Sequence, residues 1–528
     1  MVAIFDEESA VNRVTLGPSC PCCRMARAWW PAGMASGGSA VPDGPAPSFL
    51  DEVAKQPSAH ALAGDENTRD LFEHVDADRW VVIRGATVLP MTKDERLPDC
   101  DVLIRNGVID AVKPSGSAVP AGARVIDAKG KFVIPGLSDL HTHPMLLEWV
   151  QTYAQAIAPT EDPNKFLLPY DLQMFLFLAA GVTRTEILMG TVEELTLRDS
   201  VRSGRIRGPA MRVSSPLIDG FPAMYPPAMS WVVGDADGAR RAAQTIVDRG
   251  FDFAKPYTRL SREAFTVLAS ECERLGIPMM GHVPAAVGAE DAMAMGQRGI
   301  AHVFEFFYND PPEKKHDLER LARYARLARQ HGAIVQGTLC IANVTGYEWP
   351  DVQKDPRLHQ TLEPLVKFIF SDEATFNGMF RSMPDRIEAV RGLWDSSKRM
   401  TQALLAEGMR VLPGTDLSGS DVTEGLSMHE ELRLYVEEIG VKPIESLRLA
   451  TAHAAEYQGE AGRAGQIASG QRSDLVILDQ DPTVDIRATR CIDTVILGRH
   501  LLSRQSRERG IARAKQIYSA MPVPQPAS

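Results

Sequence analysis

Short apolar runs alternate with amphipathic stretches through most of this chain. From Lys131 onward, an apolar run of strand length is followed by a helical pattern, and this order repeats. Ser261 to Leu275 shows the helical periodicity, with apolar side chains three or four positions apart. The predicted strands are Phe132–Asp139, Val182–Leu188, Met211–Ile218, Phe251–Lys255, Ile277–Gly281, Gly299–Val303, Ala333–Leu339 and Arg410–Gly414. Strands and helices that alternate in this way indicate an α/β fold and favour a (β/α)8 TIM barrel.

The segments on either side of the barrel contain short β-branched runs separated by turns. They include Trp80–Ile83 and Arg124–Ile126 on the N-terminal side, and Ser473–Leu478 and Thr494–Leu497 on the C-terminal side. We expect the two flanking segments to pair into one small β-sandwich domain. The predicted organisation is a disordered or loosely ordered tail (1–78), the first part of the sandwich (79–131), the barrel (132–455), the second part of the sandwich (456–505) and a C-terminal helix and tail (506–528).

Composition and charge narrow the class of protein. The 528 residues are too many for one ordinary core, and 44% hydrophobic with 24% charged residues is typical of a soluble globular protein. A net charge of −11 argues against non-specific nucleic-acid binding. No apolar run predicts a membrane span or a signal peptide, so a cytoplasmic location is expected by default. The scattered cysteines do not predict a disulfide framework, and the cluster Cys20–Cys23 lacks a second pair at zinc spacing.

Residues that can bind metals follow several of the predicted strands. In Asp139-Leu140-His141-Thr142-His143 the two imidazoles lie on one face of a strand and can chelate one metal. His282, His302 and Asp416 each end a later strand. Taken singly, they are as easily surface histidines, core histidines or a helix N-cap. A doubly wound sheet would not place so many of them at the ends of well-separated strands, whereas barrel strands bring their C-terminal ends to one face.

Lys255 favours a site with two metals over a site with one. Two divalent cations would repel a bare ammonium, whereas a lysine amine carboxylated by carbon dioxide is an anion that could bridge metals about 3.5–4 Å apart. With a carbamate, a hydroxide, Asp416 and four neutral imidazoles, two divalent ions leave a residual charge of about +1, against about +2 or +3 without the carbamate. The alternative is a structural lysine whose stem is buried along a strand.

These residues and their neighbours resemble the amidohydrolase superfamily, most closely its imidazolonepropionase-like and metal-dependent dipeptidase-like branch. The similarity runs from about residue 80 to 505 and includes Val133–His143, Lys255–Tyr257, Gly281–Pro284, Ala301–His302, Gly414–Asp416, Ser427–Leu432 and Ala464–Val476. The resemblance implies that His141, His143 and Asp416 hold one metal, that His282 and His302 hold the other, and that carboxylated Lys255 bridges them. The branch more often has valine where this chain has Pro256, which cannot donate a hydrogen bond to a strand ladder.

The predicted reaction is metal-assisted hydrolysis of an amide, peptide or cyclic amide bond, as in a dipeptidase or an N-acyl amino acid hydrolase. A hydroxide between the metals would attack the carbonyl, and Asp416 would act as the general base. We expect two divalent ions, with zinc as the default, and carbon dioxide or bicarbonate for the lysine. Tyr257 and Arg259 are candidate substrate residues, the arginine as a clamp for a carboxylate. A core tyrosine and a solvated arginine are equally common alternatives.

Several alternatives stay open. A mononuclear deaminase on the same barrel typically has a glutamate three residues after the histidine of the fifth strand, where this chain has Ala285. Lactone, ester or phosphotriester hydrolysis would change only the bond, and a non-catalytic scaffold should lack the ligands. We expect a homo-oligomer with a small-molecule substrate and neither nucleic acid nor membrane as a partner. The loop Phe221–Pro227 is a candidate for lining the site, and the long insert Asn343–Arg391 for a lid or an oligomer contact.

Overall fold

The computed structural model describes residues 64–144, 165, 167–225, 229–308, 310, 314, 317–346, 384–417 and 424–521. The strands within these ranges are β1 (Glu73–His74), β2 (Trp80–Val88), β3 (Leu97–Arg105), β4 (Val108–Pro114), β5 (Arg124–Asp127), β6 (Phe132–Pro135), β7 (Leu137–Thr142), β8 (Val182–Ile187), β9 (Ala210–Asp219), β10 (Ser230–Val232), β11 (Phe253–Pro256), β12 (Met280–Gly281), β13 (Gly299–Ile300), β14 (Ile334–Gln336), β15 (Val411–Leu412), β16 (Leu475–Leu478), β17 (Ile492–Leu497) and β18 (His500–Ser503). The helices are α1 (Tyr170–Ala179), α2 (Val192–Arg202), α3 (Ala236–Arg249), α4 (Arg262–Leu275), α5 (Ala289–Ala294), α6 (Leu318–Gln330), α7 (Leu339–Gly346), α8 (Pro384–Ala406), α9 (Leu426–Glu437), α10 (Pro443–Arg448), α11 (Ala454–Tyr457) and α12 (Arg504–Ala520).

Some sequence predictions lie outside the described residues. They concern most of the N-terminal tail with its cysteine cluster, the end of the loop at Pro226 and Pro227, the middle of the long insert (347–383) and the last seven residues (522–528). Among the residues that are described, none of the helices is long and apolar enough to cross a membrane.

The predicted (β/α)8 barrel is confirmed. Its strands, in chain order, are β7, β8, β9, β11, β12, β13, β14 and β15, and those that pair do so in parallel. Two isolated parallel bridges join the two groups of strands, Ala254 with Met279 and Thr142 with Leu417. The C-terminal ends of the eight strands therefore meet at one face, which is where barrel proteins place their functional residues. The sequence did not predict β10, which pairs with the end of β9.

The flanking segments together form one nine-stranded sheet. Its order is β1-β18-β17-β16-β6-β2-β3-β4, with β5 paired to β2. The two segments meet where β16 pairs antiparallel with β6. Val81 and Ile104 from the first segment share a hydrophobic core with Leu475 and Ile477 from the second. The prediction of a β-rich domain built from both flanking segments is confirmed, whereas the boundaries between the domains remain a prediction.

The first predicted barrel strand, Phe132–Asp139, is two strands in the structure. β6 belongs to the nine-stranded sheet and β7 to the barrel, and the chain crosses between them at Gly136. A Cβ at residue 136 would lie 2.1 Å from Thr183 Oγ1, so only glycine fits at this crossing. The apolar pattern hides the break because both strands are buried, and a buried strand has no polar face.

Packing of the chain begins before residue 79. β1 pairs with β18, Leu71 is buried, and Asn67 donates to the buried carboxylate of Asp171 on α1. All ten residues of α1 are buried, because the helix lies between β8 and α12. A Cβ at Gly510 of α12 would lie 2.1 Å from the ring of Phe175, so the two helices approach closely at this point.

Candidate metal centre

Each predicted metal ligand lies at the C-terminal end of a barrel strand. The ligands are His141 in β7 and His143 after it, Lys255 in β11, His282 after β12, His302 after β13 and Asp416 after β15. All six side chains are buried, and all six line one cavity together with Met189, Leu217, Tyr225 and Tyr257. The structure thus brings the predicted set together, while the role of each residue as a ligand stays a prediction.

Asp416 joins two histidines into a first group. Its Oδ1 lies 3.1 Å from His143 Nε2 and 3.3 Å from His141 Nε2. The backbone of Asp416 is fixed by a 2.8 Å hydrogen bond from its N to the His141 carbonyl, and it has a φ of +56°. A residue other than glycine pays about 1–3 kcal/mol for such a conformation, and this strain is concentrated at functional sites.

His282 and His302 form a second group. Their Nε2 atoms are 3.1 Å apart and face the cavity. Their Nδ1 atoms contact side chains behind them: His282 Nδ1 lies 3.1 Å from Glu305 Oε1 and 3.1 Å from Thr258 Oγ1, and His302 Nδ1 lies 2.8 Å from Thr338 Oγ1. Imidazoles that bind metals usually have such a partner on the nitrogen that does not bind.

The two groups are adjacent. The ring centroids of His141 and His302 are 4.6 Å apart. One possible ligand atom from each of His141, His302 and Asp416 lies within 4.8 Å of the other two. Lys255 lies in the same cavity, and a hydrogen bond of 3.1 Å from its backbone N to Ser215 Oγ fixes its backbone.

The protonation states of the site suit a divalent cation. Burial lowers the pKa of His141 and of His302 well below the usual value, and a positive charge on Lys255 also lowers both. Burial alone would raise the pKa of Asp416, but its contacts with the imidazoles of His141, His302 and His143 hold that pKa well below its usual range. Neutral imidazoles and an anionic carboxylate are the forms that bind metals.

The hydrogen bonding of the site is consistent with a cation. His141 Nε2 and Asp416 Oδ2 are buried and have no hydrogen-bond partner among the described residues. A buried polar atom without a partner costs about 1–3 kcal/mol, and a bound cation would satisfy several acceptors at once. Imidazoles with a carboxylate suit zinc and also manganese, cobalt or nickel. The residues present therefore fit the divalent ions that the sequence predicts.

Pro256 lies within the paired part of β11, although the register of β11 against β9 shifts between Phe253 and Lys255. The Pro256 carbonyl accepts a 3.0 Å hydrogen bond from His282 N, and the next residue, Tyr257, donates from its N to the Ile218 carbonyl at 2.9 Å. A Cβ at residue 281 would lie 2.7 Å from Pro256 Cδ, so Gly281 provides the space for the proline ring. Backbone hydrogen bonds therefore join both sides of β11, the strand that carries Lys255, to the neighbouring strands.

The two predicted substrate residues have different surroundings. Tyr257 lines the cavity, with its ring centroid 4.1 Å from that of His282. Arg259 donates from Nη1 to the carbonyls of Pro222 and Ala223, at 2.5 and 3.3 Å. These hydrogen bonds stabilise the loop after β9. It is not among the described residues that line the cavity. A substrate-binding role for either residue stays a prediction.

Sequence reasoning missed the residues behind the ligands. Glu305 and Thr338 contact imidazole nitrogens, as does Gln336, whose Oε1 lies 3.1 Å from His141 Nδ1. Asp139, which the pattern places on one face with the histidines, accepts from Thr415 N at 2.9 Å and from Thr415 Oγ1 at 2.7 Å. Burial raises the pKa of Asp139 to about 7. The sequence signal that could have indicated such residues is a carboxylate or amide side chain within an otherwise apolar run.

The fold and the site define a (β/α)8-barrel protein with a buried cluster of His, Lys and Asp at the face where barrel enzymes carry out chemistry. The sequence model of the Amidohydrolase family matches residues 232–501, about half of the chain. The chain therefore belongs to the amidohydrolase family.

Individual relatives share shorter or more distant similarity. An adenine deaminase from Chelativorans sp. (strain BNC1) is 46% identical over 67 residues, which are 13% of this chain and 11% of that protein. The chain matches only about a tenth to a fifth of the length of such curated relatives.

Solved structures match far more of the chain. Bottromycin amidohydrolase has a TM-score of 0.64 at 23% identity, and the match includes 89% of this chain and 96% of the bottromycin amidohydrolase chain. A prolidase complexed with N-methylphosphonate-L-proline has a TM-score of 0.60 at 21% identity, over 81% of this chain and 100% of its own. At these identities the similarity supports the fold alone.

Proposed function

We propose that this chain is a metal-dependent hydrolase that cleaves a carbon–nitrogen bond in an amide, a peptide or a cyclic amide. The observation that carries the proposal is the gathering of four imidazoles, a lysine and a carboxylate in one buried cavity at the C-terminal face of the barrel. Two divalent ions, with zinc as the default, would bind there. Their ligands would be His141, His143 and Asp416 for one ion, His282 and His302 for the other, and carboxylated Lys255 for both.

The surroundings of Lys255 support the proposal that it is carboxylated. The residue is 1% exposed and lies in a cavity lined by imidazoles. A permanent ammonium there would oppose bound cations. The neutral amine can instead attack carbon dioxide, which forms one N–C bond, releases one proton and leaves a carbamate anion. This change converts a cationic side chain into an anionic one with two oxygens that can bind metals.

Asp416 is the proposed general base. When bound, the metal ions would supply an activated water at neutral pH and polarise the substrate carbonyl. The lowered pKa means that the Asp416 carboxyl group is ionised at neutral pH, and its Oδ2 has no hydrogen-bond partner among the described residues. It can therefore accept the proton of the attacking water and return it to the leaving amine. Proton transfer of this kind contributes about 10²–10⁴-fold to the rate.

Deamination by a single metal is the second candidate function. The curated relatives that match short parts of the chain include adenine deaminases. Two observations favour the two-metal hydrolase: Ala285 offers no proton-transfer group three residues after His282, and Lys255 would have no part in a one-metal site. Lactone or phosphotriester hydrolysis would use the same residues, so only the substrate distinguishes these activities.

A substrate screen with metal analysis tests the proposal. The full chain is loaded with zinc, cobalt or manganese in the presence of bicarbonate and assayed with dipeptides, N-acyl amino acids, cyclic amides, adenine, lactones and a phosphotriester. We expect release of an amine from an amide or peptide by the form that holds two metals. Ammonia release from adenine by a form with one metal would contradict the proposal and support the deaminase.

A further inference from the structure

The end of β14 contacts one ligand from each proposed metal group, although the strand supplies no ligand itself. Gln336 is the last residue of β14, and its Oε1 lies 3.1 Å from His141 Nδ1. Thr338 follows the strand, and its Oγ1 lies 2.8 Å from His302 Nδ1. Both contacts are on the side of the imidazole that faces away from the neighbouring ligands.

The orientation of the Gln336 amide follows from its neighbours. Its Nε2 lies 2.6 Å from the Leu140 carbonyl, which can only accept, so the atom at this position must be the N–H group. The same nitrogen lies 3.2 Å from Glu186 Oε2. Gln336 Oε1, which can only accept, therefore faces His141, and Nδ1 of that ring must carry the hydrogen. The Ala301 carbonyl, 3.3 Å from the same Nδ1, requires the same assignment.

This tautomer prepares His141 to bind a cation. With its hydrogen on Nδ1, the ring has its lone pair on Nε2, the atom that lies 3.3 Å from Asp416 Oδ1. The amide thus selects the tautomer and also limits rotation of the ring, which are the two properties that a partner behind a metal ligand controls.

Glu186 holds the Gln336 amide in place. Its side chain is fully buried in β8, with Oε1 2.8 Å from Arg212 Nη1 and Oε2 3.0 Å from the Tyr457 hydroxyl. A hydrogen-bonded path therefore runs from Tyr457 at the end of α11 through Glu186 and Gln336 to His141. The amide cannot rotate without breaking contacts at both of its ends.

Thr338 is fixed in an unusual conformation. Its φ is +47°, a region that β-branched residues rarely adopt. The two backbone N–H groups that follow, of Leu339 and Cys340, donate to the two side-chain oxygens of Glu431 at 3.0 and 2.6 Å. This contact fixes the start of α7 and directs the Thr338 hydroxyl to His302.

We propose that the end of β14 is a positioning element for the metal centre, in which Gln336 orients His141 and Thr338 orients His302. The inference rests on the proposed two-metal site and adds residues that act through the imidazoles. Both are positioning residues, since neither is among the described residues that line the cavity. Their removal should therefore weaken metal binding while the six ligands remain present.

The test measures metal affinity in matched variants of the full chain. Gln336→Leu removes the acceptor for His141, whereas Gln336→Glu keeps an acceptor at that place. Thr338→Val removes the hydroxyl, whereas Thr338→Ser keeps it. Gln173→Leu is the control, because Gln173 is equally buried but lies in α1 and donates to the Leu168 carbonyl. Zinc and cobalt affinities are measured on metal-free protein by competition with a chromophoric chelator, together with thermal unfolding of the metal-free forms.

We expect Q336L and T338V to lose about 10–100-fold in metal affinity, T338S and Q173L to bind as the wild type does, and Q336E to lose less than Q336L. Wild-type affinity in both Q336L and T338V would overturn the inference. So would equal losses in T338V and T338S, or in Q336L and Q173L, because a general effect on stability would then explain them.

A second measurement separates this inference from the proposed function. The imidazole 15N spectrum of metal-free wild-type protein, with His141 assigned through His141→Asn, should show the hydrogen of His141 on Nδ1. A hydrogen on Nε2 and none on Nδ1 would overturn the inference, even if Q336L does not fold. A wild-type chain that binds no metal would instead refute the two-metal site, whereas the spectrum would still decide how the imidazole is oriented.

Discussion

Replacement of Gly414 by alanine should force apart two strands that carry proposed ligands. A Cβ at residue 414 would lie 2.8 Å from His141 Cβ and 2.9 Å from His141 N. Carbon atoms in favourable contact are about 3.5–4.0 Å apart, so one strand must move by roughly 0.6–1.2 Å. Neither contacted atom is at the end of a flexible side chain, so a change of rotamer cannot relieve the overlap.

This displacement of the strands would move the proposed metal ligands His141 and Asp416 relative to each other. Asp416 N donates to the His141 carbonyl at 2.8 Å, and Leu140 N donates to the Pro413 carbonyl at 3.3 Å, so the two strands are joined on either side of Gly414. A site of this kind needs its groups placed within about 0.5 Å, which is less than the expected shift. We expect G414A to lose about 1–3 kcal/mol of unfolding free energy and at least about tenfold in metal affinity.

Urea denaturation of the metal-free chain and chelator competition measure the two effects. Gly234→Ala is the control, because a Cβ there would meet nothing within 4 Å. Wild-type stability in G414A would refute the close approach of the strands. A loss of stability with unchanged metal affinity would refute the coupling between this contact and the ligands.

Three further substitutions test other parts of the account. Asp416→Asn should keep the fold, since asparagine tolerates a positive φ, and should lower kcat about 10²–10⁴-fold on the best substrate; turnover within a few-fold of wild type would mean that Asp416 is not the base. Burial raises the pKa of Glu431 to about 8, so the stability that its proton provides is lost as the pH rises through that value. Glu431→Gln removes this titration, so the unfolding free energy of the variant relative to that of the wild type should increase from pH 5 to pH 9 in urea denaturation. A difference in unfolding free energy that does not change with pH would contradict the raised pKa. Arg259→Ala frees the carbonyls of Pro222 and Ala223 and should raise KM alike for substrates with and without a carboxylate; a rise confined to carboxylates would support the clamp instead.

The sequence was informative where local pattern determines geometry. Each proposed ligand follows or ends an apolar run, and the ends of barrel strands meet whatever the details of packing, so His282 and Asp416 could be placed together from the pattern alone. The crossing at Gly136 could not be predicted, because the apolar run continues through both strands. The need for glycine at this crossing comes from the side chain of Thr183 on another strand, which the local pattern does not contain.

The residues that orient the ligands depend on contacts between distant parts of the chain. The role of Gln336 follows from the Leu140 carbonyl, 196 positions earlier, and from the buried carboxylate of Glu186. Arg259 has the charge to bind a carboxylate, but its guanidinium contacts backbone carbonyls of a loop that the sequence cannot position. The roles of such residues depend on which strands become neighbours in the fold, and residue type alone does not predict these roles.

The central claim is that Lys255 allows this site to hold two metal ions. The direct test is the number of metal ions bound per chain, measured by plasma mass spectrometry after incubation with zinc and bicarbonate and removal of free metal. Wild type and Lys255→Ala are compared, with Lys129→Ala at an exposed lysine as the control. The account predicts two ions per chain in the wild type and the control, and loss of the pair in K255A. A K255A chain that keeps two ions and full turnover would contradict it.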